Sequence, residues 1–313
     1  MNVPEIVPII ADRRLPTDRP FTRHRAAQAG VGRRVLDRLV AEGALRKLLR
    51  GVYLDASARE TVAIRAEAVA LVVHPEAVIT DRTAAWLHGA SINPAGDYLP
   101  PVSVFQLPDN SRIRAAATTS GTRTLEPDDI EIVNGIRVTT PLRTALDLGR
   151  LLKRDAALAA LDGLLRLGRF HQADLRSETR RFRGYRGVVQ LRCLIPLSDA
   201  RSESPQESVL RLRWLDAMLP EPHPQYVVVD DNGFPIYRLD LADPTVRFAA
   251  EYDGQDHHFT AEQRERDDRR RAWLRRRGWL IDVFDRKALA SRTVRSRLVD
   301  GHRRAMTRHH AAA

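Results

Sequence analysis

Along residues 20–55 the hydrophobic positions fall first at helical and then at strand spacing. Thr22 can cap a short helix through Ala29, which Gly30 ends. A second helix is expected over about 32–42. There Val35, Leu36, Leu39 and Val40 share one face, and Arg33, Arg34, Asp37 and Arg38 lie off it. Gly43 stops that helix, and residues 45–54 read as a basic hairpin, or wing. The stretch from about 58 to 196 mixes both periods. It predicts a helix over 63–73 and a capped short helix between Thr80 and Gly89. Strands near 102–107 and 113–118 follow, then a hairpin of Ile130–Val133 and Ile136–Thr139 turning on Asn134-Gly135. Helices over 141–152 and 155–167 complete it.

Residues 197–205 are polar and mark a boundary. Beyond them a helix starts at Ser204 or Pro205 and reaches 219, carrying Glu207 near its start and an apolar face of Val209, Leu212 and Leu215. Strands are expected at 226–229, 237–241 and 246–253, a long charged helix over 260–277 and a last strand over 279–284. The order is α-β-β-β-α-β. The chain therefore divides into three regions of an α/β multidomain protein: a winged helix-turn-helix at 1–57, a mixed α/β middle at 58–198, and a C-terminal domain at 199–313 that ends in a basic tail.

Charge adds a partner class. The net charge of +11 favours a polyanion such as DNA, because cations set near phosphates release condensed counterions. Arg33, Arg34 and Arg38 on the second helix and Arg270 on the long charged helix are the candidate DNA contacts, and a solvated basic face is the plainer alternative. A single cysteine, Cys193, excludes an intrachain disulfide and fits a reducing compartment. The first fourteen residues lack a basic start followed by a long apolar core, and no run approaches ~18 apolar residues. The expectation is a soluble cytoplasmic protein with no membrane partner.

The carboxylates of the C-terminal domain suggest chemistry. Alternation along 246–253 puts Glu251 and Asp253 on one face, and strand pairing can bring Asp240 beside Glu251. Three such groups at one end of a sheet repel one another, and a hard cation, Mg²⁺ or Mn²⁺, would relieve that. Asp240, Glu251 and Asp253 are accordingly the candidate metal ligands. The alternative is an ion-pair ladder between these acids and the arginines of the next helix. Glu207 can equally complement its own helix N-terminus.

Two resemblances sharpen the picture. The phrase Leu48-Leu49-Arg50-Gly51-Val52-Tyr53 resembles the N-terminal domain of AbiEi-type antitoxins of bacterial type IV toxin–antitoxin systems. The Thr83-Ala84-Ala85-Trp86-Leu87-His88-Gly89 and Thr140–Asp147 runs resemble the same family. Glu251-Tyr252-Asp253-Gly254-Gln255-Asp256-His257, with Asp267, Arg270, Leu274 and Gly278-Trp279, is similar to an endonuclease-like domain related to very-short-patch-repair (Vsr) endonucleases. That resemblance implies a PD-(D/E)XK restriction-endonuclease-like fold. It implies Asp240 and Glu251 as metal ligands with Asp253 beside them, His257 in acid–base or phosphate contact, and a catalytic role for Glu207. The chain departs from the superfamily pattern at the usual lysine, where Asp253 stands, and no lysine lies between Lys153 and Lys287.

Two functions are thereby expected. One is a DNA-binding, Mg²⁺- or Mn²⁺-dependent endonuclease that hydrolyses phosphodiesters with metal-activated water. The other is a non-catalytic DNA-binding regulator of the antitoxin type with a degenerate nuclease-like domain. A cognate toxin or a second copy of the chain is a further candidate partner.

Overall fold

The computed structural model describes residues 15–74, 77–90, 92, 102–106, 118–254 and 261–312. The chain forms two compact units, Met1–Leu148 and Gly149–Ala313.

The first unit opens with β1 (Phe21–Thr22), α1 (Arg23–Gln28), α2 (Arg33–Ala41), β2 (Leu45–Leu49) and β3 (Val52–Asp55). The Thr22 hydroxyl accepts the Arg25 N–H at 3.2 Å, the expected cap. The strands form a three-stranded sheet in the order β1-β3-β2. Leu36 and Leu39 of α2 pack with Phe21, Ala26, Val31, Leu45 and Tyr53. Leu48, Leu49, Val52 and Leu54 join a second core instead, with Ala66, Val69, Ile79, Leu87 and Val138. One hairpin thus feeds two cores, and residue 57, expected as a boundary, lies beside a shared apolar interior.

The rest of this unit is α3 (Val62–Ala70), β4 (Val78–Ile79), α4 (Asp81–Leu87), β5 (Val102–Gln106), β6 (Thr118–Thr122), β7 (Ile130–Val133), β8 (Ile136–Thr139) and α5 (Pro141–Leu151), which runs across the division. The strands form a sheet in the order β6-β5-β4-β8-β7. Asn134 and Gly135 have φ values of 46° and 80°, the left-handed pair a two-residue hairpin turn requires. Of the strand expected at 113–118, residues 113–117 lie outside the described residues, and the observed strand begins at Thr118. The expected Thr80 cap is absent: its hydroxyl lies 3.1 Å from Asp81 Oδ2, and Asp81 itself has a φ of 53°.

The second unit contains α6 (Arg154–Leu165), α7 (Gln172–Glu178), α8 (Val188–Leu194), α9 (Pro205–Asp216), β9 (His223–Val229), β10 (Pro235–Asp243), β11 (Phe248–Tyr252), α10 (Ala261–Arg276), β12 (Leu280–Phe284), α11 (Arg286–Ala290) and α12 (Val294–Ala312). The α-β-β-β-α-β order from α9 to β12 is the one the periodicity predicts. The sheet runs β12-β11-β10-β9, with β9, β10 and β11 antiparallel and β12 parallel to β11 across the α10 connection. Leu210 and Trp214 of α9 and Leu298 and Ala305 of α12 pack with Phe248, Ala250 and Phe284. Leu274 of α10 packs with Val228, Leu239, Ala249 and Trp279. Helices therefore cover both faces.

One feature differs from expectation. The polar stretch 197–205 does not separate compact units, because α6 is bound to α9. The Arg211 guanidinium donates to Asp162 at 2.6 Å with both side chains buried, and Arg213 reaches Asp155 at 3.0 Å. Beyond Phe284 the basic tail is helical. Val294, Leu298, His302 and Ala305 recur at helical spacing and are buried, and His302 Nε2 lies 2.8 Å from Asp243 Oδ2. Among the described residues no helix is long and apolar enough to cross a membrane.

Candidate functional site

In the first unit, α2 places Arg33, Arg34 and Arg38 on its exposed side because Leu36 and Leu39 turn inward. Two of the three lie near acids one turn on: Arg33 Nε is 3.6 Å from Asp37, and Arg38 Nε is 2.8 Å from Glu42. Lys47 of the wing is 3.9 Å from the same Asp37. Exposed i,i+4 pairs contribute little to stability, so phosphate oxygens can displace these acids at little cost.

In the second unit the sheet brings Asp240 and Glu251 together. Leu241 pairs with Ala250, so Asp240 and Glu251 stand opposite each other one step further along. Asp240 Oδ2 accepts the Tyr252 N–H at 2.8 Å. Burial pushes the Asp240 carboxyl up to about 7. The Tyr252 N–H opposes that rise, Glu207 and Glu251 add to it, and Arg270 opposes it. Glu251 is buried and held by Arg270 through both terminal nitrogens, one of them 3.1 Å from Oε2. The same guanidinium donates to the Arg238 carbonyl at 3.0 Å and lies 5.8 Å from the Tyr237 ring centre. Glu207 Oε2 accepts the Glu203 N–H at 2.9 Å and the Gln225 amide at 2.7 Å. It therefore completes its helix N-terminus and also acts on the charge of Asp240.

β11 ends at Tyr252, one residue before Asp253. The Asp253 N–H donates to the Phe284 carbonyl at 2.9 Å. His257 lies outside the described residues.

Among the described residues no three His, Cys, Asp or Glu side chains are arranged to hold a metal ion. Both Glu251 oxygens face a guanidinium, and one oxygen each of Asp240 and Glu207 faces an N–H donor. As placed, the described carboxylates do not assemble a three-ligand site for Mg²⁺ or Mn²⁺. What the arrangement does is balance one buried carboxylate with an arginine. Arg270, a candidate DNA contact by sequence, here pairs with Glu251, as the ion-pair alternative has it, and no sequence signal singles out Gln225. Gln225 carries a φ of 54° inside β9 while its side chain holds Glu207. Pro224 before it and the turn-prone Asp231-Asn232-Gly233 beyond gave no signal for that conformation.

An uncharacterized protein of Mycobacterium tuberculosis, found alike in strains CDC 1551 and H37Rv, is 38% identical to this chain over 152 residues. That match covers 49% of this chain and 56% of the relative, so the shared stretch is about half of each. Residues 76–197 match the family model of the AbiEi antitoxin C-terminal domain, a range that runs from β4 through α8.

Proposed function

We propose that the protein is a DNA-binding regulator of the antitoxin type that acts in the cytoplasm with a cognate toxin as partner. The observation that carries this reading is the antitoxin-domain match at 76–197, directly downstream of a helix-turn-helix and wing whose second helix exposes Arg33, Arg34 and Arg38. In this reading α2 lies against the duplex and its arginines chiefly meet phosphates. Fluorescence anisotropy with labelled duplex DNA across a salt series tests it. Replacing the three arginines with alanine should weaken binding on the order of 10²-fold and reduce the salt slope by about 2–3, at ~0.9 per phosphate contact. Unchanged affinity and slope would remove α2 from the interface.

A second reading is favoured by one observation, the opposition of Asp240 and Glu251 on adjacent strands of an α-β-β-β-α-β unit. It holds that this unit is of the Vsr-like PD-(D/E)XK type and cleaves DNA, with Glu207, Asp240, Glu251, Asp253 and His257 at its centre. Cleavage of single-stranded, duplex, nicked and mismatched DNA with Mg²⁺ or Mn²⁺ separates the two. The regulator is expected to cut none of them. Cleavage by the wild-type protein that Glu251→Gln abolishes, with binding retained, would establish the enzyme instead.

A further inference from the structure

We infer that Arg270 is a built-in counter-cation, occupying the position beside Asp240 and Glu251 where a divalent ion would otherwise be drawn, and that this substitution keeps the C-terminal unit in a metal-free, binding-only state. The inference deepens the regulator reading and rests on it for the second half of that statement.

Three observations support it. The guanidinium meets both Glu251 oxygens, and such fork-shaped pairing fixes its position as well as its charge. It is anchored from behind by the Arg238 carbonyl and lies near the Tyr237 ring, so it is held by the sheet as well as by the acid. One oxygen each of Asp240 and Glu207 accepts N–H donors: Asp240 from Tyr252, and Glu207 from Glu203 and from the left-handed Gln225. Each of these three carboxylates therefore has a donor from the protein itself, and Glu251, the most buried of them, has a full positive charge. A buried anion whose cation is removed must find another. Two carboxylates on adjacent strands, with Glu207 acting on one of them, give a small hard ion a place to satisfy that need.

Mn²⁺ titration of the full chain, followed by calorimetry and by thermal melting without DNA, tests the inference. Wild-type protein should show no Mn²⁺ binding that depends on Glu251. Arg270→Gln should bind Mn²⁺ at least roughly tenfold more tightly, since a unit charge a few ångströms from the site has gone. Its melting temperature should fall without metal and recover with Mn²⁺. In the double variant Arg270→Gln/Glu251→Gln the gain should vanish. The inference is overturned if wild-type protein binds Mn²⁺ as tightly as Arg270→Gln, if folded Arg270→Gln gains nothing, or if the gain survives in the double variant. Should Arg270→Gln fail to fold, Arg270→Met decides by the same outcomes, because it also removes the charge while keeping much of the side-chain length. None of these readouts involves DNA, so a failure here is distinct from a failure of the α2 experiment.

Discussion

Arg143→Met is expected to destabilise the first unit by roughly 3–5 kcal/mol, the cost of stranding buried carboxylates. Arg143 sits on α5, almost wholly inaccessible, and its guanidinium is fully engaged. Nε donates to Asp147 at 2.8 Å, Nη1 to Asp129 at 2.5 Å and Nη2 to the Thr124 carbonyl at 3.2 Å. Asp147 retains Arg123, 2.9 Å away, when Arg143 is lost. Asp129 loses a close cation and keeps the Glu126 N–H at 2.9 Å. Methionine preserves much of the volume and helix propensity, so the loss reports charge rather than a cavity. The denaturant midpoint measures it, with Arg38→Met on the exposed face of α2 as the control, expected to leave the midpoint nearly unchanged. A loss below ~1 kcal/mol for Arg143→Met would mean that the two aspartates find water or another cation without it.

That network also shows where sequence reading stopped. The run from Thr140 to Asp147 stood out as a family resemblance without chemistry. Its content is that Arg143 and Asp147 lie one helical turn apart on a buried face and close onto Asp129 and Arg123 from other elements. No periodicity gives that closure, because it depends on how β7 and the segment before it return to α5. What periodicity did give was local. The faces of α2, the Asn134-Gly135 turn and the α-β-β-β-α-β order follow from spacing and turn chemistry alone. The last helix had a signal that its composition hid. Its buried stripe includes Gly301 and Ala305, and a side chain at Gly301 would strike the Phe248 ring and Asp282. Small residues packing against a sheet are easily taken for a polar tail. At the carboxylates, alternation placed Glu251, and pairing placed Asp240 beside it. The arginine that meets Glu251 lies nineteen residues further on, one of many on α10, and only the fold selects it.

Asp240→Asn is expected to remove a pH dependence that wild-type protein carries. With a carboxyl raised from 3.8 to about 7 in the folded state, the folded chain holds this proton more tightly than the unfolded chain does. Below the unfolded value both states are protonated and the group imposes no penalty. Between the two values folding takes up a proton, and as the pH rises through about 7 the carboxylate must ionise in a buried site beside Glu251 and within the influence of Glu207. Stability from this group is therefore present in acid and lost as the pH rises through neutrality. A shift of that size corresponds to about 4 kcal/mol at full extent, as an order of magnitude. Asparagine keeps an oxygen for the Tyr252 N–H but never ionises. Urea denaturation of both proteins between pH 5 and pH 8 isolates the effect, since the other titrating groups are common to both and largely cancel in the difference. Relative to wild type, the variant should gain stability by a few kcal/mol as the pH rises across that range. A difference that does not change with pH would show that Asp240 stays ionised throughout. The Arg270 charge would then serve Asp240 as well as Glu251.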